Sequence, residues 1–202
     1  NSSINLAFKK DQADARKKWI LEGIARNEAL EYGTENQEIP YDEFINKDLI
    51  WFSISDLKRS IPSAIDGFKP SQRKVIFASR KRANTEIKVS QLASYVANES
   101  SYHHGEQSLC GTIIILAQEY VGSNNINMLE PVGQFGTRLM GGKDHASPRY
   151  IFTRLTKTAL DMFHKDDDAI LKYLDDDGVS IEPEYYLPKI PLVLVNGAEG
   201  IG

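Results

Sequence analysis

The chain has 202 residues, 41% of them hydrophobic and 26% charged, which is ordinary for a globular protein and enough for one domain plus part of a second. Its single cysteine, Cys110, excludes an internal disulfide, and its longest purely apolar run, residues 113–117, is too short to cross a membrane. The net charge of −4 hides a strong asymmetry, because residues 58–88 carry nine basic and two acidic side chains whereas residues 161–190 carry three basic and nine acidic ones. The basic segment predicts phosphate binding, with a solvated helix face as the alternative.

The first part of the chain is polar and is expected to belong to a preceding domain. Residues 1–40 contain a helical pattern through Ala15, Trp19 and Ile20, followed by a loop-like run over residues 32–38. The start at Asn1 without a methionine, and the stop directly after an apolar run, indicate a piece of a longer protein. We therefore expect parts of any functional site to lie outside this sequence.

Residues 41–121 are predicted to be mainly helical. Apolar periodicity and capping signals predict four helices, which begin near Asp42, Pro70, Ser90 and Glu106. The last of them extends to about Val121, and a short strand is predicted over Ile87–Val89. The two helices on either side of the glycine-containing turn at residues 99–105 form a helix-turn-helix pattern, a weak signal by itself. We expect Cys110, inside the last helix, to be a buried structural thiol.

The remaining residues predict a β-wing and the beginning of another domain. Residues 122–148 are rich in glycine, asparagine and proline, which favours turning β-structure. A helical pattern is predicted after Tyr150, and residues 171–195 are predicted to form strands around a hairpin at Asp175–Gly178. The predicted fold class is mixed α/β (α+β), with a winged helix-turn-helix domain over residues 41–165. Residues 166–202 would begin a second α/β domain.

The pair Arg149-Tyr150 is the strongest candidate for chemistry. A tyrosine hydroxyl is protonated at neutral pH and is a poor nucleophile until it is positioned and activated. Attack on a phosphodiester builds negative charge on the phosphate oxygens, which an adjacent guanidinium can stabilise through a bidentate contact. The alternative is that Tyr150 simply packs at the end of a loop, as most of the nine tyrosines must.

No metal site is predicted. His103 and His104 are adjacent, so on a helix their side chains point about 100° apart and make a poor pair of ligands. Their predicted place at a helix N-terminus suits a phosphate better. The acidic runs at residues 166–168 and 175–177 lack metal-binding spacing and are interpreted as solvated loops.

Several motifs together resemble the type IIA DNA topoisomerases, in their eukaryotic and large-DNA-virus branch more than in bacterial gyrase. The resemblance is dense from about Tyr41 to Gly202. The motifs that carry it are Arg59-Ser-Ile-Pro62, Asp66-Gly-Phe-Lys-Pro70, Gln72-Arg-Lys74, Tyr102-His-His-Gly-Glu106, Gly122-Ser-Asn-Asn125, Gly133-Gln-Phe-Gly-Thr-Arg138, Gly141-Gly-Lys-Asp144, Arg149-Tyr150 and Asn196-Gly-Ala-Glu-Gly-Ile-Gly202.

The resemblance implies that this segment is the DNA gate, with the winged helix followed by the start of the tower domain and preceded, over residues 1–40, by a helix and linker from the metal-binding Toprim domain. Tyr150 matches the nucleophile that becomes joined to a DNA 5′-phosphate, and Arg149 matches the residue that stabilises the transition state. The positions that match DNA contacts are Arg59, Lys69, Arg73, His103, His104 and Ile201, the last as an apolar wedge between base pairs.

The resemblance also implies Mg²⁺ and ATP as cofactors of the full-length enzyme, neither of them bound by residues of this segment. Its expected partners are double-stranded DNA and a second protomer, with no membrane, and its expected location is the nucleus, or the cytoplasm for a viral enzyme. Two departures stand out: Glu119 replaces a neutral residue near DNA, and the loop over residues 80–85 is shorter than in relatives.

Two other functions remain open from the residues. The first is a winged-helix DNA-binding module without chemistry, which the presence of Arg149-Tyr150 disfavours. The second is a tyrosine-dependent DNA-cleaving enzyme that does not pass strands, which the tower-like sequence after Leu171 disfavours.

Overall fold

The computed structural model describes residues 2–33, 38–82 and 85–201, which separate into two compact units. The first contains the residues up to Ser60 together with Ile201, and the second runs from Ile61 to Gly200. The units divide later in the chain than the boundary expected at residue 40. Residues 34–37 of the predicted loop-like run over residues 32–38, residues 83–84 of the shortened loop over residues 80–85, and the terminal Gly202 lie outside the described residues.

The first unit is helical. Its helices are α1 (Ser2–Phe8), α2 (Ala13–Arg26), α3 (Tyr41–Phe44) and α4 (Ile50–Ser60), with a 3₁₀ turn at Lys10–Gln12 and a π-helical stretch at Ile45–Leu49. The helix predicted through Trp19 is therefore confirmed, and so is the one predicted to begin near Asp42.

A small apolar cluster holds this unit together. Trp19, Ile45, Ile50 and Ile54 are each at most 6% exposed. The Trp19 indole N–H donates to Asn46 Oδ1 at 2.8 Å, so its polar edge is satisfied. A side chain on Gly23 would place its Cβ 2.0 Å from Ile50 Cδ1, and glycine therefore allows the close approach of α2 to α4.

The second unit combines helices with two small sheets. The helices are α5 (Pro70–Lys81), α6 (Val89–Glu99), α7 (Glu106–Ala117), α8 (Lys157–Met162) and α9 (Leu192–Val195). The strands are β1 (Ile87–Lys88), β2 (Phe152–Thr153), β3 (Tyr173–Asp176) and β4 (Val179–Pro183). Both sheets are two-stranded and antiparallel, β1 with β2 and β3 with β4. No helix in the described ranges is long and apolar enough to span a bilayer.

Helices α5, α6 and α7 form the centre of this unit. Helix α7 is apolar around most of its circumference, with six buried side chains: Leu109, Cys110, Ile113, Ile114, Leu116 and Ala117. A helix that is hydrophobic on nearly every face must be buried between others. Cys110 is 4% exposed, which confirms that the thiol is buried, and this burial raises its pKa, with a smaller effect from Glu106.

The helix predicted directly after Tyr150 is wrong, because a strand stands there. Phe152 and Thr153 form β2 and pair with Lys88 and Ile87, and a helix begins only at Lys157. The apolar positions 151, 155, 159 and 162 are all buried, so their spacing reflects which side chains enter the core and not a continuous helix. Backbone pairing across the chain overrides the local pattern.

The hairpin predicted at Asp175–Gly178 is confirmed. Two predicted helix boundaries and one predicted strand differ from the structure. Helix α7 ends at Ala117 instead of continuing to Val121, and Lys88, not Ser90, is the N-cap of α6. The apolar run at Leu192–Val195 is a helix rather than a strand.

The second unit contains a buried ion pair whose carboxylate, Asp66, also accepts a hydrogen bond from the far end of the unit. Arg73 donates from Nε and Nη2 to both oxygens of Asp66, at 2.7 and 3.0 Å, and also to the Phe68 carbonyl at 3.1 Å. The backbone N–H groups of Phe68 and Tyr186 donate to the same carboxylate, each at 3.0 Å. Because Asp66 is 0% exposed, every one of these donors is needed to offset its desolvation.

Arg73→Ala is expected to lower the free energy of unfolding by about 3–5 kcal/mol, since it leaves a buried carboxylate without its counter-ion. Urea unfolding followed by circular dichroism measures the change. The matched control is Lys172→Ala, which removes a surface pair (Lys172 with Glu184, 3.2 Å) and should cost about 0–1 kcal/mol. Equal losses in the two variants would contradict this account of the pair.

Candidate active site

The Arg149-Tyr150 pair lies in a turn whose backbone is fixed by hydrogen bonds and whose two side chains are exposed to solvent. Tyr150 is 76% exposed, and its N–H donates to the Ser147 carbonyl at 2.9 Å. On either side of the pair, the carbonyls of Pro148 and Ile151 accept hydrogen bonds from the first two N–H groups of α6, at 3.1 and 3.0 Å. Those N–H groups have no partner within the helix, so the same two bonds cap α6 and anchor the turn.

Backbone pairing with residues 130–132 also fixes the chain that follows the turn. Phe152 and Val132 exchange two backbone hydrogen bonds, at 2.9 and 3.1 Å, and the Glu130 N–H donates to the Arg154 carbonyl at 2.8 Å. Arg154 and Glu130 also form a side-chain ion pair. The chain that leaves Tyr150 is therefore fixed against the chain that enters the preceding glycine-rich loop.

That loop, residues 133–146, is closed by a buried amide and is called the glycine loop below. The Gln118 side-chain NH₂ donates to the carbonyls of Phe135, at 2.9 Å, and Gly142, at 3.2 Å. Gln118 is 7% exposed and directly follows α7. One side chain therefore joins the two limbs of the loop to the helical core.

A carboxylate makes a second closure within the glycine loop. Asp144 accepts from the Thr137 N–H at 2.8 Å and from the Thr137 hydroxyl at 2.7 Å. The hydroxyl bond and then the N–H bond hold the pKa of the Asp144 carboxyl below its usual value. The bonds contribute stability above the ordinary carboxyl pKa, and that contribution is lost as the pH falls through the lowered one.

Two glycines allow the loop limbs to touch. Gly136 has φ +101° and Gly142 has φ +77°, both in the region that favours glycine. A Cβ on Gly136 would lie 2.5 Å from the Gly142 backbone, and one on Gly142 would lie 2.3 Å from Gln118 Nε2. Glycine is therefore needed at both positions, because a side chain would clash with the neighbouring atoms and because the backbone has a positive φ.

The predicted DNA contacts on α5 have different environments. Lys69 is half-buried at the N-cap of α5, where its backbone N–H donates to Gln72 Oε1 at 2.9 Å, and its ammonium has no partner among the described residues. Arg73 is 5% exposed and its guanidinium is committed to Asp66 and Phe68. This placement differs from that of a fully exposed DNA contact, because Nε and Nη2 of the guanidinium already donate to Asp66 and Phe68.

The other predicted contacts are exposed. Arg59 pairs with Asp56 at 2.6 Å, and His103 Nε2 lies 3.1 Å from Asp176 Oδ2. The His104 ring packs edge-on against Tyr102, with ring centroids 5.3 Å apart. Both histidines precede α7, whose N-cap is Gly105, so they lie just outside the helix rather than in its first turn. Ile201 is 90% exposed.

The acidic runs are not purely solvated loops, and this corrects the sequence interpretation. Asp168 makes a bidentate pair with Arg80, at 2.8 and 3.0 Å, and Asp175 accepts from the Gly178 N–H of the hairpin at 3.0 Å. Within the described residues, no group of three or more His, Cys, Asp or Glu side chains is placed to hold a metal ion. Glu119 is exposed and has no partner in the same described ranges.

Comparison with known proteins places this geometry in a family. The family model for the A-subunit of DNA gyrase/topoisomerase IV matches residues 59–202, and the model described as the C-terminal associated domain of TOPRIM matches residues 1–57. The chain belongs to the eukaryotic-type type IIA DNA topoisomerases. Human DNA topoisomerase 2-beta is 55% identical over 214 residues, which cover 100% of this chain and 13% of the human protein.

Two further relatives agree with this assignment. DNA topoisomerase 2 of Arabidopsis thaliana is 55% identical over 201 residues, covering 99% of this chain and 13% of that protein. The crystal structure of the Plasmodium falciparum topoisomerase II DNA-binding, cleavage and re-ligation domain matches with a TM-score of 0.84 at 50% identity, over 100% of this chain and 27% of that one. The mixed helical and small-sheet fold is thus that of a topoisomerase II cleavage-domain fragment.

Gln118 and Asp144 are site residues that the sequence did not single out for a role. Gln118 stands at the end of an apolar run, and a polar residue that continues a buried helix is a signal for a buried hydrogen-bond network. Asp144 lies inside a motif that only the family resemblance marks. Neither signal says which carbonyl or hydroxyl is the partner, since those partners come from a distant part of the loop.

Gly136→Ala is expected to destabilise the protein more than Gly122→Ala. Both glycines have φ +101°, so the conformational strain of about 1–3 kcal/mol is common to the two variants. Only Gly136 has a close neighbour, and forcing the loop apart should add about 1–3 kcal/mol. Thermal unfolding of the two variants tests this, and similar melting temperatures would show that the loop limbs can separate freely.

Proposed function

We propose that this chain is the DNA-gate segment of a type IIA topoisomerase, which cleaves and reseals both strands of a DNA duplex so that another duplex can pass. The observation that carries the proposal is the exposed Arg149-Tyr150 pair on a backbone anchored on both sides by α6. A nucleophilic tyrosine needs a backbone that is held in position and a hydroxyl that the substrate can reach, and this turn supplies both. The topoisomerase 2 relatives support the assignment.

In the proposed reaction, Tyr150 Oη forms a bond to phosphorus while the bond from phosphorus to the 3′ oxygen breaks. The proton of the phenol ends on the released 3′ hydroxyl, and the DNA 5′-phosphate is left on the tyrosine. The phosphodiester energy is retained in the new bond, so the reverse attack by the 3′ hydroxyl reseals the strand without a ligase.

Arg149 is proposed to stabilise the charge that develops on the phosphate oxygens. It is exposed and has no hydrogen-bond or ion-pair partner among the described residues, so its fork of N–H donors is free for a bidentate contact. Lys69, Arg59, His103, His104 and Ile201 remain proposed DNA contacts. Arg73 remains a proposed DNA contact as well, and we assign it an additional structural role, since Nε and Nη2 of its guanidinium donate to Asp66.

We further propose a winged-helix domain over residues 41–165 and the start of a tower domain over residues 166–202, within a homodimer that acts in the nucleus. Mg²⁺ and ATP are proposed as cofactors of the full-length enzyme, bound by residues outside this segment, as the similarity to DNA topoisomerase 2 implies. The domain boundaries at residues 40 and 165 remain proposals.

Tyr150→Phe is expected to abolish the covalent protein–DNA adduct of the full-length enzyme and to leave noncovalent DNA affinity nearly unchanged, since only the nucleophilic oxygen is removed. Denaturing gels after incubation with labelled duplex detect the adduct, and peptide mapping locates it. Tyr41→Phe is the matched control, because Tyr41 is 67% exposed, similar to Tyr150 at 76%. An adduct that persists in Tyr150→Phe would refute the assignment.

Arg149→Lys should slow cleavage by about 10²-fold, because lysine keeps the charge but loses the planar pair of donors. The measurement is the single-turnover cleavage rate at saturating DNA. Arg154→Lys is the control, since Arg154 pairs with Glu130 at the surface and lysine can keep that pairing. A wild-type rate in Arg149→Lys would assign Arg149 a role in folding only.

A further inference from the structure

The outer side of the glycine loop presents an apolar pair to solvent. Leu139 is 92% exposed, the most of any large hydrophobic residue in the described chain, and Met140 beside it is 54% exposed. Both lie in a short 3₁₀ turn, Arg138–Met140. Contiguous exposed apolar surface is a mark of an interaction site.

The loop cannot hide this pair by rearranging. On its inner side, Gln118 holds the Phe135 and Gly142 carbonyls, and Asp144 holds Thr137. The Gly142 N–H also donates to the Thr137 carbonyl at 2.9 Å, so the turn that carries Leu139 is closed at its base. The apolar pair is therefore held outwards by the structure beneath it.

Unpaired cations flank the pair. Arg138 and Lys143 are exposed, and neither side chain has a hydrogen-bond or ion-pair partner among the described residues. The one carboxylate of the loop, Asp144, is occupied by Thr137. An apolar tip between two free cations is complementary to a groove of duplex DNA, where apolar sugar and base edges lie between two rows of phosphates.

The position of the tip along the chain favours DNA over an acidic protein. Lys143 and Arg149 are six positions apart in the sequence, so the two cannot be more than about 22 Å apart even in a fully extended chain. At about 3.4 Å per base pair, that distance is about six base pairs. A duplex engaged by Tyr150 therefore passes within reach of the tip.

We propose that the loop tip, Arg138–Lys143, docks in a groove of the DNA beside the scissile bond. Leu139 and Met140 contact sugar and base edges, and Arg138 and Lys143 contact the phosphates on either side. This inference rests on the proposed function and adds to it a second apolar contact, distinct from Ile201.

The test is the DNA affinity of the full-length protein for a short labelled duplex, measured by fluorescence anisotropy at several salt concentrations. Leu139→Ala should weaken binding about tenfold at every salt concentration, because it removes apolar contact without removing charge. Lys143→Gln should instead reduce the slope of log affinity against log salt by about 0.9, the effect of one lost phosphate contact.

The chain offers a matched control for each variant. Ile170→Ala removes an apolar side chain that is 73% exposed in the acidic segment, and Lys157→Gln removes an exposed lysine outside the loop. Neither should change the affinity or the salt slope. Leu139→Gln, which keeps the length of the side chain, should behave like Leu139→Ala, and melting temperatures of all variants confirm folding.

Leu139→Ala and Leu139→Gln that bind DNA as Ile170→Ala does would overturn the inference. So would a change confined to dimer dissociation, which would identify a protein partner for the tip. Formation of the Tyr150 adduct by the wild-type protein is measured separately. If the adduct forms and the Leu139 variants bind normally, only this inference fails, whereas absence of the adduct would defeat the proposed function itself.

Discussion

The glycine loop must fold back on itself without leaving its buried carbonyl groups unpaired, and the Gln118 amide satisfies this constraint. Two carbonyls from opposite limbs accept from the same NH₂ group, which binds the limbs to each other and to the end of α7. An unpaired carbonyl in that position would cost about 1–3 kcal/mol. The close contact of Gly136 with Gly142, and the outward position of the loop tip, depend on this closure.

The same requirement for paired backbone groups holds the turn that contains Tyr150. The first N–H groups of α6 lack helical partners, and the carbonyls beside Arg149 and Tyr150 supply them. The same hydrogen bonds therefore cap α6 and hold the turn that carries Arg149 and Tyr150. The side chains of both residues stay exposed, as the proposed cleavage of DNA by Tyr150 requires.

Much of this could be predicted from local sequence, and some could not. The helices beginning near Asp42, Pro70 and Glu106 and the hairpin at Asp175–Gly178 follow from periodicity and turn residues, which act over a few positions. The strand after Tyr150 could not, because its apolar positions also fit a helix and only pairing with β1 decides between them. Arg73 illustrates the same limit: its partner Asp66 is near in sequence, but burial decides whether it faces DNA or the core.

Local sequence was enough to predict most of the helices, the basic and acidic segments and, through the motifs, the family and the candidate Arg149-Tyr150 pair. Only the fold shows which charged side chains are paired and which are not. Arg73 pairs with Asp66 and Asp144 accepts from Thr137, whereas the side chains of Arg138, Lys143 and Arg149 have no partner among the described residues. The physical reason is that solvation and partnership of a charge depend on groups far apart in the chain. A residue's type fixes what it can donate or accept, and only the fold fixes what it meets.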